Sequence, residues 1–183
     1  MSTEVFEPAT REEWRGWLEA HAGTAAEAWV VIPHARSGRP GISHREAVEE
    51  ALCFGWIDSL ARRHDGSSFR QRFGPRRPTA PWSTLNRGLA EELAAQGRMT
   101  PAGQAAVDRA KRTGTWSLLA GAQAGVVPDD LRVALDAEPG AAAGFAALSP
   151  SARRAALESI ARAVRPETRR RRIAAAVARA LGR

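Results

Sequence analysis

Ile57–Phe73 reads IDSLARRHDGSSFRQRF. Two strand-like runs flank His64-Asp65-Gly66-Ser67, a turn signal with Asp-Gly at its centre, and the pattern predicts a β-hairpin. Side chains alternate across a strand. On the return strand, Ser68–Phe73, alternation puts Phe69, Gln71 and Phe73 on one face and Ser68, Arg70 and Arg72 on the other. On the outgoing strand, Ile57–Arg63, it groups Asp58 with Leu60 and Arg62. Pro75, Pro78 and Pro81 then hold the chain extended, and Arg76 and Arg77 ride on that stretch. Four cations fall within eight residues, Arg70 to Arg77, with no acid between them.

Upstream, Thr10-Arg11-Glu12-Glu13 and Ser43-His44-Arg45-Glu46 are capping-box patterns. They open helices expected to end near His21 and Cys53. The apolar, β-branched run Ala28–Ile32 between them predicts a strand buried on both faces. Gly55 suits a helix C-terminus. Downstream, helices are expected from Ser83 to about Gln96, from Thr100-Pro101 to Gly114, from Pro128 to Ala137 and from Ser149-Pro150 to about Val164. A last one starts near Glu167, with Ile173, Val177 and Leu181 on one stripe. Residues 114–127 read as a loop, and 140–147 as a small-residue stretch. The expected class is α+β. A small antiparallel sheet with packed helices fills residues 1–115, and a helical region fills 116–183.

Of 183 residues, 44% are hydrophobic and 26% charged, which excludes wholesale disorder. The one cysteine, Cys53, excludes an internal disulfide and a cysteine-based zinc cluster. At a helix C-terminus its thiol meets the negative dipole end, so it reads as a small core residue. No apolar run reaches membrane-span length, and the first residues lack a signal-peptide pattern. A cytoplasmic, soluble protein without membrane insertion is therefore expected. His21, His34, His44 and His64 lack metal-ligand spacing. No phosphate-binding glycine loop or nucleophile elbow occurs, so neither metal nor cofactor is expected.

The net charge of +7 is unevenly placed: residues 1–50 carry −4, 51–100 carry +4, 101–150 carry −1 and 151–183 carry +8. Of the 27 cations only Lys111 is lysine. Arginine forks suit phosphate and carboxylate, although a GC-rich coding bias would give the same composition.

Two constellations follow. In the first, Arg62, Arg70, Arg72, Arg76 and Arg77 converge on an anion. Ser83 and Asn86 add donors at the next helix start, and Trp56 and Trp82 form walls. Asp58 orients Arg62 or Arg72, or serves as a general base, with His64 the other candidate base. The plainer alternative leaves the arginines solvated and the aromatics in the core. The second is Arg165, Arg169, Arg170, Arg171 and Arg172 at a helix start. It suits a polyanion such as nucleic acid, an acidic protein, or the acidic N-terminal segment of the same chain.

Three blocks, EAVEEALCFGWIDS, QRFGPRRPTAPWSTLNR and GRMTPAGQAAVDRAKRTGTW, together with the tail LSPSARRAALESIARAVRPETRRRRIAAAV, resemble the YdeI/OmpD-associated, bacteriocin-protection family. The resemblance implies a link to antimicrobial or stress tolerance, or to an outer-membrane partner, and implies no particular reaction. The expected function is a binding protein for an anionic small molecule or a phosphate-bearing polymer. The alternatives are an enzyme that inactivates a toxic compound in the same pocket and an adaptor acting through the arginine-rich tail. The oligomeric state stays open.

Overall fold

In the computed structural model, which describes residues 5–183, the hairpin lies at one side of a four-stranded sheet. The strands are β1 (Val5–Phe6), β2 (Ala28–Pro33), β3 (Trp56–Arg63) and β4 (Ser68–Pro75), ordered β1-β2-β4-β3. β4 runs antiparallel to both of its neighbours, β2 and β3, and β1 adds a two-residue parallel edge on β2. The sheet is therefore mixed, and the class is α+β as the sequence predicts.

Two helices, α1 (Arg11–His21) and α2 (His44–Cys53), pack with this sheet. Ser43 and Glu46 complete a reciprocal capping box on α2. On α1, Thr10 accepts from the Glu13 N–H, while the Glu13 carboxylate reaches back to the Ala9 N–H. Trp14 is fully buried. Its ring tilts against Phe73 of β4, and its indole N–H donates to Ala47 of α2. β2 is buried from Ala28 to Ile32, as expected of a central strand. The hairpin turn closes by side-chain chemistry. The Asp65 carboxylate accepts from the Ser67 N–H and from the Ser67 and Ser68 hydroxyls, an Asx-type turn. Gly66 does not take a positive φ there.

The chain divides into two compact units. The first runs to Ala80 and resumes over Asn86–Arg112. It holds the sheet, most of α3 (Thr84–Ala95), and nearly all of α4 (Pro101–Thr113). α4 docks through Gly103, where an added Cβ would fall 2.2 Å from the Cys53 carbonyl oxygen.

The second unit, Pro81–Leu85 with Thr113–Arg183, is helical. It contains α5 (Ala120–Gln123), α6 (Asp129–Asp136), α7 (Ala141–Ala147), α8 (Pro150–Ala161) and α9 (Pro166–Ala180). Leu131, Leu135, Phe145, Leu157 and Ile160 are the heart of its core. The small-residue stretch 140–147 is α7. Its Gly144 lets α9 approach until an added Cβ would sit 2.0 Å from the Ala180 carbonyl oxygen. Among the described residues no helix is long and apolar enough to cross a membrane.

Candidate functional site

β4 lies between β2 and β3, and its register sets Arg72 opposite Trp29, and Arg70 opposite both Val31 and Arg62. Residues opposed in a ladder share a face. Trp29, Arg62, Arg70 and Arg72 are therefore neighbours on one face of the sheet. The guanidinium carbons of Arg62 and Arg70 lie 5.4 and 5.2 Å from the Trp29 ring centroid, within cation–π range. The Trp29 N–H donates to the Glu27 carboxylate at 3.2 Å. Arg72 donates from Nε to the Ser59 hydroxyl at 2.9 Å and approaches Glu27 at 3.5 Å. Beside them opens a cleft of about 450 Å³, lined by Glu27, Ser59, Arg72, Gly74, Pro75 and Arg77.

Like charges directly opposed across a ladder repel. Arg72 has Glu27 as counter-charge. Among the described residues no carboxylate lies within ion-pair distance of Arg62 or Arg70, and the buried Nε of Arg70 has no hydrogen-bond partner. The indole quadrupole answers part of that charge. An oxyanion would answer the rest through charge-assisted hydrogen bonds.

Asp58 is not on this face. One surplus residue on β3 makes a bulge between Asp58 and Ala61, so Asp58 opposes Phe73 while Arg62 opposes Arg70. A bulge reverses simple alternation, and the expected contact of Asp58 with Arg62 or Arg72 does not form. Its partner is His44, 3.3 Å away. Arg76 is buried, and its backbone N–H donates to Gly55. Burial pulls its guanidinium down to about 10, against the opposing charge of Asp58. Arg76 thus lies apart from the exposed Arg77.

Trp56 is core: its N–H donates to Ala22, and its ring meets Trp17 edge-on. Trp82 is also buried, its ring tilted against that of Trp116, and belongs with Ser83 to the second unit, while Asn86 belongs to the first. His64, exposed in the hairpin turn, has no carboxylate partner among the described residues. The structure thus brings Arg62, Arg70, Arg72 and Arg77 to one side of the first unit and does not bring the remaining predicted residues with them. Trp29, Glu27 and Ser59 are the members that alternation along the hairpin alone misses. The signal for Trp29 is one indole in an otherwise aliphatic strand.

A second charged cluster holds α1 to α2. The nearly inaccessible Glu50 carboxylate pairs with Arg11, Arg15 and Arg98, and Glu49 pairs with Arg11 and Arg45. Burial pushes Glu49 up, but Arg45 and Arg11 outweigh it and leave its carboxyl below the usual range. Burial also pushes the Cys53 thiol up, consistent with an unreactive core cysteine. In the second unit, Asp130 takes Arg169 bidentately at 2.6 and 2.9 Å, and Arg172 donates to the Ser159 carbonyl. Of the predicted Arg165, Arg169, Arg170, Arg171 and Arg172, Arg169 alone has an ion-pair partner among the described residues, and Arg165, Arg170 and Arg171 have neither that nor a carbonyl acceptor there. Also among the described residues, no group of three or more His, Cys, Asp or Glu could hold a metal ion.

Residues 6–106 match the family model described as Domain of unknown function (DUF8412), and residues 124–182 match Bacteriocin-protection, YdeI or OmpD-Associated. The tail resemblance thus falls inside the latter model. The blocks between Glu46 and Trp116 lie outside it, mostly within the former. No curated protein and no solved structure matches the chain.

Proposed function

From a chain that belongs to the DUF8412 family and carries a bacteriocin-protection, YdeI or OmpD-associated region at its C-terminal end, we propose a binding protein that holds an oxyanion on the guanidinium face of its sheet. One observation carries this: Arg62 and Arg70 face each other over Trp29 with no carboxylate partner among the described residues. Arg62 and Arg70 clamp the anion. Arg72, fixed by Ser59, supplies a third fork, and Arg77 lies across the cleft. The ligand is a small molecule bearing phosphate or carboxylate, and the role is antimicrobial or stress tolerance by sequestration.

Binding is favoured over catalysis by placement. Of the candidate bases, Asp58 is on the opposite face and paired with His44, and His64 is at the hairpin turn. The test is calorimetric titration with inorganic phosphate and pyrophosphate at low ionic strength. Replacing Arg62 and Arg70 together by Ala should weaken binding at least about tenfold, since each charge-assisted bond contributes roughly 1.5–3 kcal/mol. Unchanged affinity in a folded double variant would overturn the proposal.

A further inference from the structure

The second unit carries a groove unrelated to the sheet face. It is about 770 Å³, lies between α6 and α9, and is floored by Ala134, Ile173, Ala174, Val177, Ala178 and Leu181. Ligand sites have this size and this largely apolar lining with few polar groups, and they recur between helices. The Asp130–Arg169 pair sets the two helix starts side by side, while Ala137 of the first wall and Leu181 of the second line the same groove. The helices therefore run in the same direction, and both positive dipole ends lie at one end of the groove.

Arg170 lies at that end too, exposed and without a carboxylate partner among the described residues. Glu138 and Arg183 share the opposite end. The groove is thus cationic at its head and apolar along its length. From Arg170 to Leu181 the helix rises about 16 Å at 1.5 Å per residue, room for an extended chain of roughly a dozen carbons.

We propose that this groove binds a free, monomeric fatty-acid anion, with its carboxylate at Arg170 and its chain lying between α6 and α9 toward Leu181. The site is distinct from the sheet face and does not depend on it.

The experiment is calorimetric titration of the full chain with dodecanoate below its micellar concentration. Acetate, dodecyltrimethylammonium and anionic phospholipid vesicles are run beside it. Saturable dodecanoate binding at least tenfold tighter than acetate, and severalfold tighter than the cationic amphiphile, is the expected result. Ala174→Trp fills the groove from α9 and Ala137→Trp from α6. Both positions are exposed, so both variants should keep their circular dichroism and thermal midpoint while binding falls about tenfold. Arg170→Glu should weaken dodecanoate about threefold or more, the scale of one exposed charge reversal, and should not weaken the cationic amphiphile.

Acetate binding as tightly as dodecanoate would mean that the alkyl chain contributes nothing, and would overturn the groove proposal. Equal binding of both amphiphiles, insensitivity to both tryptophan variants, or binding to vesicles alone would each overturn it as well. None of these outcomes bears on phosphate at Arg62 and Arg70.

Discussion

Glu50 shows how much a single buried carboxylate decides. Three guanidiniums converge on it, from Arg11 and Arg15 on α1 and from Arg98 just before α4. Nothing in the local sequence around EAVEEALC announces this, because all three partners are distant in the chain. Breaking a buried ion pair by removing one partner leaves uncompensated charge and costs roughly 3–5 kcal/mol. Glu50→Gln should therefore lower the unfolding free energy by about that amount in urea titrations, while Glu19→Gln, at an exposed pair, should cost under about 1 kcal/mol. Acid sensitivity follows from the same chemistry. Glu49 is held below its ordinary range by Arg45 and Arg11 against burial. Asp65 is held well below by the Ser67 N–H and the Ser68 hydroxyl, and Asp130 below by Arg169. Acids depressed in the folded state contribute stability that is complete above their unfolded values and is lost as pH falls through the folded ones. Thermal midpoints should be level down to about pH 5 and decline steadily below about pH 4.

At the scale of elements, caps and breakers were the legible signals. Thr10, Ser43 and Ser149 cap where their side chains suggest, and the hairpin lies between Trp56 and Pro75. The misses have physical causes. β1 is two residues whose strand character comes from pairing with Trp29 and Val30, not from its own pattern. α7 reads as linker because Ala and Gly give little amphipathic contrast. The bulge in β3 has no sequence signature, so alternation put Asp58 on the wrong face and with it one predicted role. Gly103 and Gly144 are each fixed by close approach to backbone atoms, in one unit and the other. An added methyl cannot be absorbed by a carbonyl as it can by a flexible side chain. Gly103→Ala and Gly144→Ala should each destabilise by about 1–3 kcal/mol or more, read as a lowered urea midpoint, whereas Gly88→Ala, with open space around it, should be neutral to stabilising.

For the molecule as a whole, the uneven charge visible along the chain resolves into two different situations. The acids of the first fifty residues are largely spent inside the first unit, Glu7 on Arg39, Glu27 on Arg72, and Glu49 and Glu50 on the α1–α2 network. The C-terminal cations are less neutralised, but Arg169 and Arg172 are committed to Asp130 and the Ser159 carbonyl. A polyanion meeting the start of α9 would therefore engage about three arginines, Arg165, Arg170 and Arg171. Counterion release predicts a slope near −3 for log K against log salt on duplex DNA if these three alone take part. A titration of duplex binding between low and physiological salt checks this, and a slope beyond about −6 would mean that more of the surface takes part.

The indole of Trp29 has one further consequence. Its ring lies under two guanidiniums and its N–H is tethered to Glu27, so its excited state feels the position of both cations. Drawing either arginine aside toward an incoming anion changes the electric field across the chromophore and shifts the colour of its emission. If the proposed anion binds there, titrating phosphate should shift the emission of the wild-type chain and not that of a Trp29→Phe companion, which leaves the other five tryptophans in place.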